Sequence, residues 1–156
     1  MNNVTLPTLL VPIPEEHLKS GLEICGREGK IAFGSRAFQV FEQADTLRNE
    51  VELDVFIYPS WGSKFGPPKA RWHGTYIGHV HSIGGAHPAG MQFRPPTTAE
   101  NPSDNAGHWA IFYELKNLVE LSNQDSLAMN RFRGFGKQKK YVSNFVPEGP
   151  LLVDVM

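Results

Sequence analysis

The sequence predicts an α+β domain: a small, strongly curved mixed sheet or open β-barrel with short helices packed outside. Three observations carry this. The chain has 156 residues, 40% of them apolar, which supports one domain over 1–156 with a real core and excludes a disordered chain. Fifteen glycines and twelve prolines make turns frequent and long helices improbable. The strongest apolar runs lie in the middle of the chain and read as strands, whereas helical spacing falls at the connections.

Taken in order, residues 8–13 form a short strand, ended by Pro12 and Pro14. Residues 15–25 read as a helix, with Leu18, Leu22 and Cys25 on one face and acidic residues in the first turn. Residues 30–33 are extended. A second helix over 35–43 carries Phe38 and Phe41 three apart. Residues 51–58 alternate and then become continuously apolar, as a central strand does, and Pro59 stops them. Residues 60–69 are a Gly/Pro/Lys loop. A long strand over 70–82 places Trp72, Gly74, Tyr76, Gly78 and Val80 on one face, with His73, Thr75, Ile77, His79 and His81 on the other. Residues 83–107 have four prolines and no periodicity, a long loop of the kind that binds or is disordered. Residues 108–121 are the strongest strand signal. A short helix over 125–131 and a closing strand over 151–155 complete the chain.

Fifteen basic against sixteen acidic residues leave a net charge of −1, so global charge does not argue for a nucleic-acid or membrane surface. No Lys or Arg precedes Lys19, and Pro7, Pro12 and Pro14 interrupt the first apolar stretch, which is therefore no signal peptide. No run approaches the ~18 apolar residues of a membrane span. The expectation is a soluble cytoplasmic protein without a membrane partner. Cys25, the single cysteine, excludes an intrachain disulfide and reads as a small buried apolar residue. GxSxG, P-loop, GxGxxG and CxxC patterns are all absent, and no cofactor is expected.

Three groups of residues carry possible chemistry. His79 and His81, two apart on a strand, project to one face and could share an ion with His87 or His108. The spacing Gly74-x4-His79-x-His81 resembles the start of a cupin motif, though its glycine is one residue too close and no Glu lies among the eighteen residues after His81. The alternative is a pair of surface or loop-facing histidines. Secondly, Arg131, Arg133, Lys137, Lys139 and Lys140 stand within ten residues that hold no acid and two phenylalanines. The other 146 residues, with ten bases against sixteen acids, carry −6. Such a segment meets phosphates while its rings stack on bases, or is simply a solvated turn. Thirdly, Tyr58, Trp61, Trp72 and Trp109 could wall a pocket for a flat ligand. Ser60, Arg94, Asp104 and Asn105 would supply polar groups at its edge, and ordinary core packing is the competing reading.

The order of segments adds to this. Ile31-Ala32-Phe33-Gly34-Ser35 leads into a helix, then Asp54-Val55-Phe56-Ile57-Tyr58-Pro59-Ser60, Ala70-Arg71-Trp72-His73-Gly74-Thr75-Tyr76-Ile77-Gly78 and His108-Trp109-Ala110-Ile111-Phe112-Tyr113-Glu114-Leu115 follow. Over about residues 30–122 this resembles the PUA-like superfamily, in particular its EVE and ASCH branches. The resemblance implies a β-barrel whose cleft binds RNA or a modified base in DNA or RNA. Tyr58, Ser60 and Trp61 would border the cleft, and Asp104 and Asn105 would lie at its mouth. The expected function is therefore a nucleic-acid-binding module that reads a modified base in an aromatic cleft, rather than an enzyme. A cupin-like metal-dependent enzyme and a protein-interaction domain without small ligand are the alternatives.

Overall fold

The computed structural model describes residues 5–60 and 66–156. It is an α+β fold. Seven strands form one mixed sheet in the order β2-β6-β5-β3-β1-β9-β8: β1 (Thr8–Pro14), β2 (Ile31–Ser35), β3 (Leu53–Ser60), β5 (Trp72–His81), β6 (Ile111–Glu120), β8 (Phe132–Gly134) and β9 (Leu151–Val155). A separate ribbon pairs β4 (Lys69–Ala70) with β7 (Leu127–Ala128). Only β1 and β3 run parallel; the other neighbours are antiparallel. Among the described residues no hydrogen bonds close the sheet into a barrel.

Helices α1 (Glu15–Glu28) and α2 (Phe38–Arg48) cover one face of this sheet. Leu18, Ile24 and Cys25 of α1 and Phe41 and Ala44 of α2 share a core with Leu9, Val11, Phe33, Val55, Ile57, Tyr76, Tyr113 and Leu115. Burying such side chains stabilises by roughly 1.5–3 kcal/mol each. Gly29, at φ 83, ends α1 in the left-handed conformation that glycine adopts without strain. Leu22 and Phe38, expected on the buried faces, are 40% and 42% exposed, because Gly21 and Ile24 take the inward positions of α1 and Phe41 that of α2. A smaller core on the other face joins Leu10, Ala70, Met129, Phe132 and Val153.

Prolines do not stop the strands as expected. Pro12, Pro14 and Pro59 all lie within strands, in the register Pro12↔Tyr58 and Ile13↔Pro59. Strand β9 pairs with β1 only as far as Leu10, so Pro12 and Pro14 fall where β1 has a neighbour on one side, and a missing N–H breaks no second ladder. The predicted helix over 125–131 is instead a turn, the two residues of β7 and one turn of 3-10 helix (Met129–Arg131). The third correction concerns β5. Ile77 is the extra residue of a β-bulge that continues into Gly78 at φ 136, so Tyr76 faces Leu115 while His79 faces Tyr113 and His81 faces Ile111. Directly opposed residues share a face, so His79 and His81 join the face of Tyr76 rather than the opposite one.

Residues 83–107 are folded. They hold 3-10 turns at Pro96–Glu100 and Pro102–Asp104, and the Phe93 carbonyl accepts the Ala32 N–H at the free edge of β2 (2.7 Å).

Candidate functional site: a tryptophan-walled cavity

A cavity of about 330 Å³ opens where the end of β1, the first turn of α1, β2 and the 83–107 loop meet. Pro12, Ile13 and Pro14 line it from β1, and Phe33 and Gly34 from β2, although these two strands are not hydrogen-bonded to each other. Three strands separate β2 from β1 in the sheet order, so their reaching one space requires a curved sheet. Its volume is in the range of small-ligand sites.

Trp109 is the main aromatic wall. It lies on the approach to β6, not on a strand as expected, and packs on Gly34. A Cβ on residue 34 would come within 2.3–2.5 Å of three indole atoms, so only glycine admits the ring there. The indole Nε1 donates to Asp104 Oδ1 (3.2 Å), and His108 meets the ring edge-on at 4.1 Å between centroids. Arg36 in turn donates to the His108 carbonyl (3.2 Å) and contacts its Nδ1 (3.2 Å).

Arg94, 1% exposed, braces this corner. Its Nη1 donates to the Ala32 carbonyl (2.8 Å), Nη2 to the Asp104 carbonyl (3.0 Å) and Nε to Asn105 Oδ1 (3.2 Å), while its cation sits over Phe112 at 4.8 Å. Burial pulls the guanidinium down to about 10, with the Asp104 carboxylate opposing that shift. Asn105 extends the brace by donating to the Thr98 carbonyl (3.1 Å). Arg94 and Asn105 therefore hold the loop on β2.

The polar groups facing the cavity come from elsewhere. Asp104 Oδ2 lies 3.9 Å from His17 Nε2, too far for a hydrogen bond, and His17 Nδ1 is 2.7 Å from Thr97 Oγ1. Tyr113 lines the cavity at 2% exposure, its ring stacked on Phe41 (4.6 Å, 13°). Its hydroxyl has no hydrogen-bond partner among the described residues. Burial raises its pKa above the usual phenol range, so it stays a neutral donor.

The cavity thus unites Arg94, Asp104 and Trp109 of the expected set, with Asn105 behind them. Tyr58 and Trp72 do not line it. Tyr58 packs toward the smaller core on the opposite face, and Trp72 is buried in the main core with its Nε1 unpartnered. Ser60 pairs with Pro14 at the strand end and is also not among the lining residues. Trp61 lies outside the described residues. His17, Gly34, Thr97 and Tyr113 had no signal in the sequence beyond residue type, since each gains its role from a partner far along the chain.

The four histidines do not form one group: His79 and His81 are in ring contact at 5.8 Å, whereas His87 and His108 are held by other partners. His87 is buried, its Nε2 donating to Glu114 Oε2 (3.0 Å) and its Nδ1 accepting the Ala89 N–H (3.0 Å), and His108 sits on Trp109. Among the described residues no three His, Cys, Asp or Glu side chains form a group that could hold a metal ion. Of the basic segment, Arg131 donates to the Met156 carbonyl (2.6 Å) and Arg133 pairs with Asp154 (3.5 Å). Lys137, Lys139 and Lys140 are exposed and make no ion pair with the described residues. No helix among the described residues is long and apolar enough to cross a membrane. Compared with models of known protein families and with curated proteins, the chain matches none.

Proposed function

We propose that the chain is a nucleic-acid-binding module of PUA-like type whose cavity takes one planar base from RNA or modified DNA. The observation that carries this is Trp109, fixed from behind by Gly34 and at its edge by Asp104, forming one wall of a base-sized cavity. A pre-positioned indole gives a stacking face with little ordering cost. The Tyr113 hydroxyl and Asp104 Oδ2 supply a donor and an acceptor for the edge of a base. The curl of the sheet around the cavity agrees with an open barrel of this type. Lys137, Lys139 and Lys140 provide the phosphate contacts, a role that Arg131 and Arg133 share less because Arg131 donates to the Met156 carbonyl and Arg133 is ion-paired with Asp154.

The test is binding of labelled single-stranded and duplex oligonucleotides, with and without modified cytosines and adenines, followed by anisotropy at low and moderate salt. The expected result is saturable binding that depends on one base. Trp109→Ala should weaken it about tenfold to a hundredfold, as removal of a stacking ring does, and Tyr113→Phe should reduce the base preference. Binding that is absent, or that is unchanged in Trp109→Ala, overturns the proposal.

A further inference from the structure

A second site lies on β5, away from the cavity lining. Asp45 of α2 gathers three donors. Arg48 Nε reaches its Oδ1 at 2.6 Å, the Tyr76 hydroxyl donates to the same oxygen at 2.9 Å, and His79 Nδ1 lies 2.6 Å from Oδ2. With the Tyr76 proton directed at Asp45, the proton between His79 and Asp45 belongs to Nδ1. The neutral ring then presents a bare lone pair at Nε2. That nitrogen has no hydrogen bond among the described residues and is not among their buried unsatisfied atoms, although the His79 side chain is only 9% exposed. A carboxylate behind an imidazole, fixing its tautomer and raising its basicity, is how metal-binding histidines are supported.

The Ile77 bulge carries His81 to the same face, where it is exposed and has no hydrogen bond with the described residues. The two rings stand 5.8 Å apart between centroids, at 68°. An ion bound at about 2.0–2.1 Å by an imidazole nitrogen lies about 3 Å from the ring centre, so two rings on one ion have centres roughly 4.5–5.5 Å apart. Rotation of the exposed His81 closes the difference.

We propose that His79 and His81 form a two-imidazole site for a late divalent transition ion, Cu(II) before Zn(II), with solvent completing the coordination and Asp45 acting as a positioning residue. Nitrogen donors select this class, and Cu(II) stands highest in it. The site is independent of the cavity.

Cu(II) titrated into the intact, tag-free chain tests this, with calorimetry giving affinity and electron paramagnetic resonance counting nitrogen ligands. The expected result is one ion per chain with two nitrogens. His81→Ala, at an exposed position, should weaken binding at least tenfold and leave one nitrogen. Asp45→Asn should weaken it about tenfold with both nitrogens retained, which loss of structure alone would not do. His79→Gln adds a second check where it folds. No binding by the native chain, or equal affinity and an unchanged spectrum in His81→Ala, overturns the proposal.

Discussion

Trp109 rests on Gly34 at a distance no other residue at position 34 permits: a Cβ there would fall 2.3 Å from the indole Cδ1. One β2 glycine therefore places the main aromatic wall of the cavity, some 75 positions earlier in the chain than the ring it accommodates.

Gly34→Ala should displace the indole and break its hydrogen bond to Asp104. Overpacking of this kind costs about 1–3 kcal/mol. Denaturant unfolding reads the loss, and the tryptophan emission should shift red as the ring moves into solvent. An unaltered spectrum with native stability would contradict the packing described.

Arg94→Ala removes three hydrogen bonds and leaves the carbonyls of Ala32 and Asp104 without their partner. Breaking a buried charged contact costs about 3–5 kcal/mol. Hydrogen exchange should localise the effect, with faster exchange across 83–107 and at Ala32, whose N–H bonds Phe93. A loss of protection spread evenly over the sheet would show that Arg94 does not clamp this loop.

Stability should fall as pH rises above about 10. Tyr76 and Tyr113 are both raised, chiefly by burial and for Tyr76 also by Asp45, so the folded chain keeps two phenolic protons that the unfolded chain releases. Stability from this source is complete below the unfolded phenol value near 10 and is lost above it, by about 1.4 kcal/mol per pH unit for each group. Arg94 runs the other way. Lowered to about 10, it binds fewer protons when folded and offsets one of the two tyrosines from about 10 up to the ordinary guanidinium range. The net slope is downward. Unfolding free energies measured from pH 9 to 11.5 should decline, and Tyr113→Phe should flatten the decline; a flat native profile would refute it.

Replacing Lys137, Lys139 and Lys140 with glutamine should lower the salt slope of oligonucleotide binding by about 2, at about 0.7 per phosphate contact on single strands, without altering base preference. Stability should change little, because none of the three is ion-paired with the described residues. An unchanged slope would move the phosphate contacts elsewhere.

The strands of the middle of the chain were legible because apolar alternation reports a half-buried sheet directly. The helices were legible from Leu18 and Phe41, although Leu22 and Phe38 misled, since periodicity defines a stripe and not which of its edges meets the core. Arg94, Asp104, Asn105 and Trp109 could be singled out as polar and aromatic residues in or beside a loop too long to be a mere connection. Tyr58 and Trp72 could not be told from pocket residues, because an aromatic on a strand looks the same whether it faces a cavity, the main core or the opposite face.

Composition and pattern alone determined an α+β domain with a mixed sheet and its principal strands, since these depend on local propensity and burial period, but left 83–107 open between a binding loop and a disordered one. Tertiary structure decided the rest. It brought Gly34 under Trp109, His17 toward Asp104 and Tyr113 to the cavity wall. Through one extra residue at Ile77 it also turned His79 and His81 to the face of Tyr76 and Asp45. Sheet curvature and a bulge set these contacts, and both depend on how distant strands pair, which no local stretch of sequence specifies.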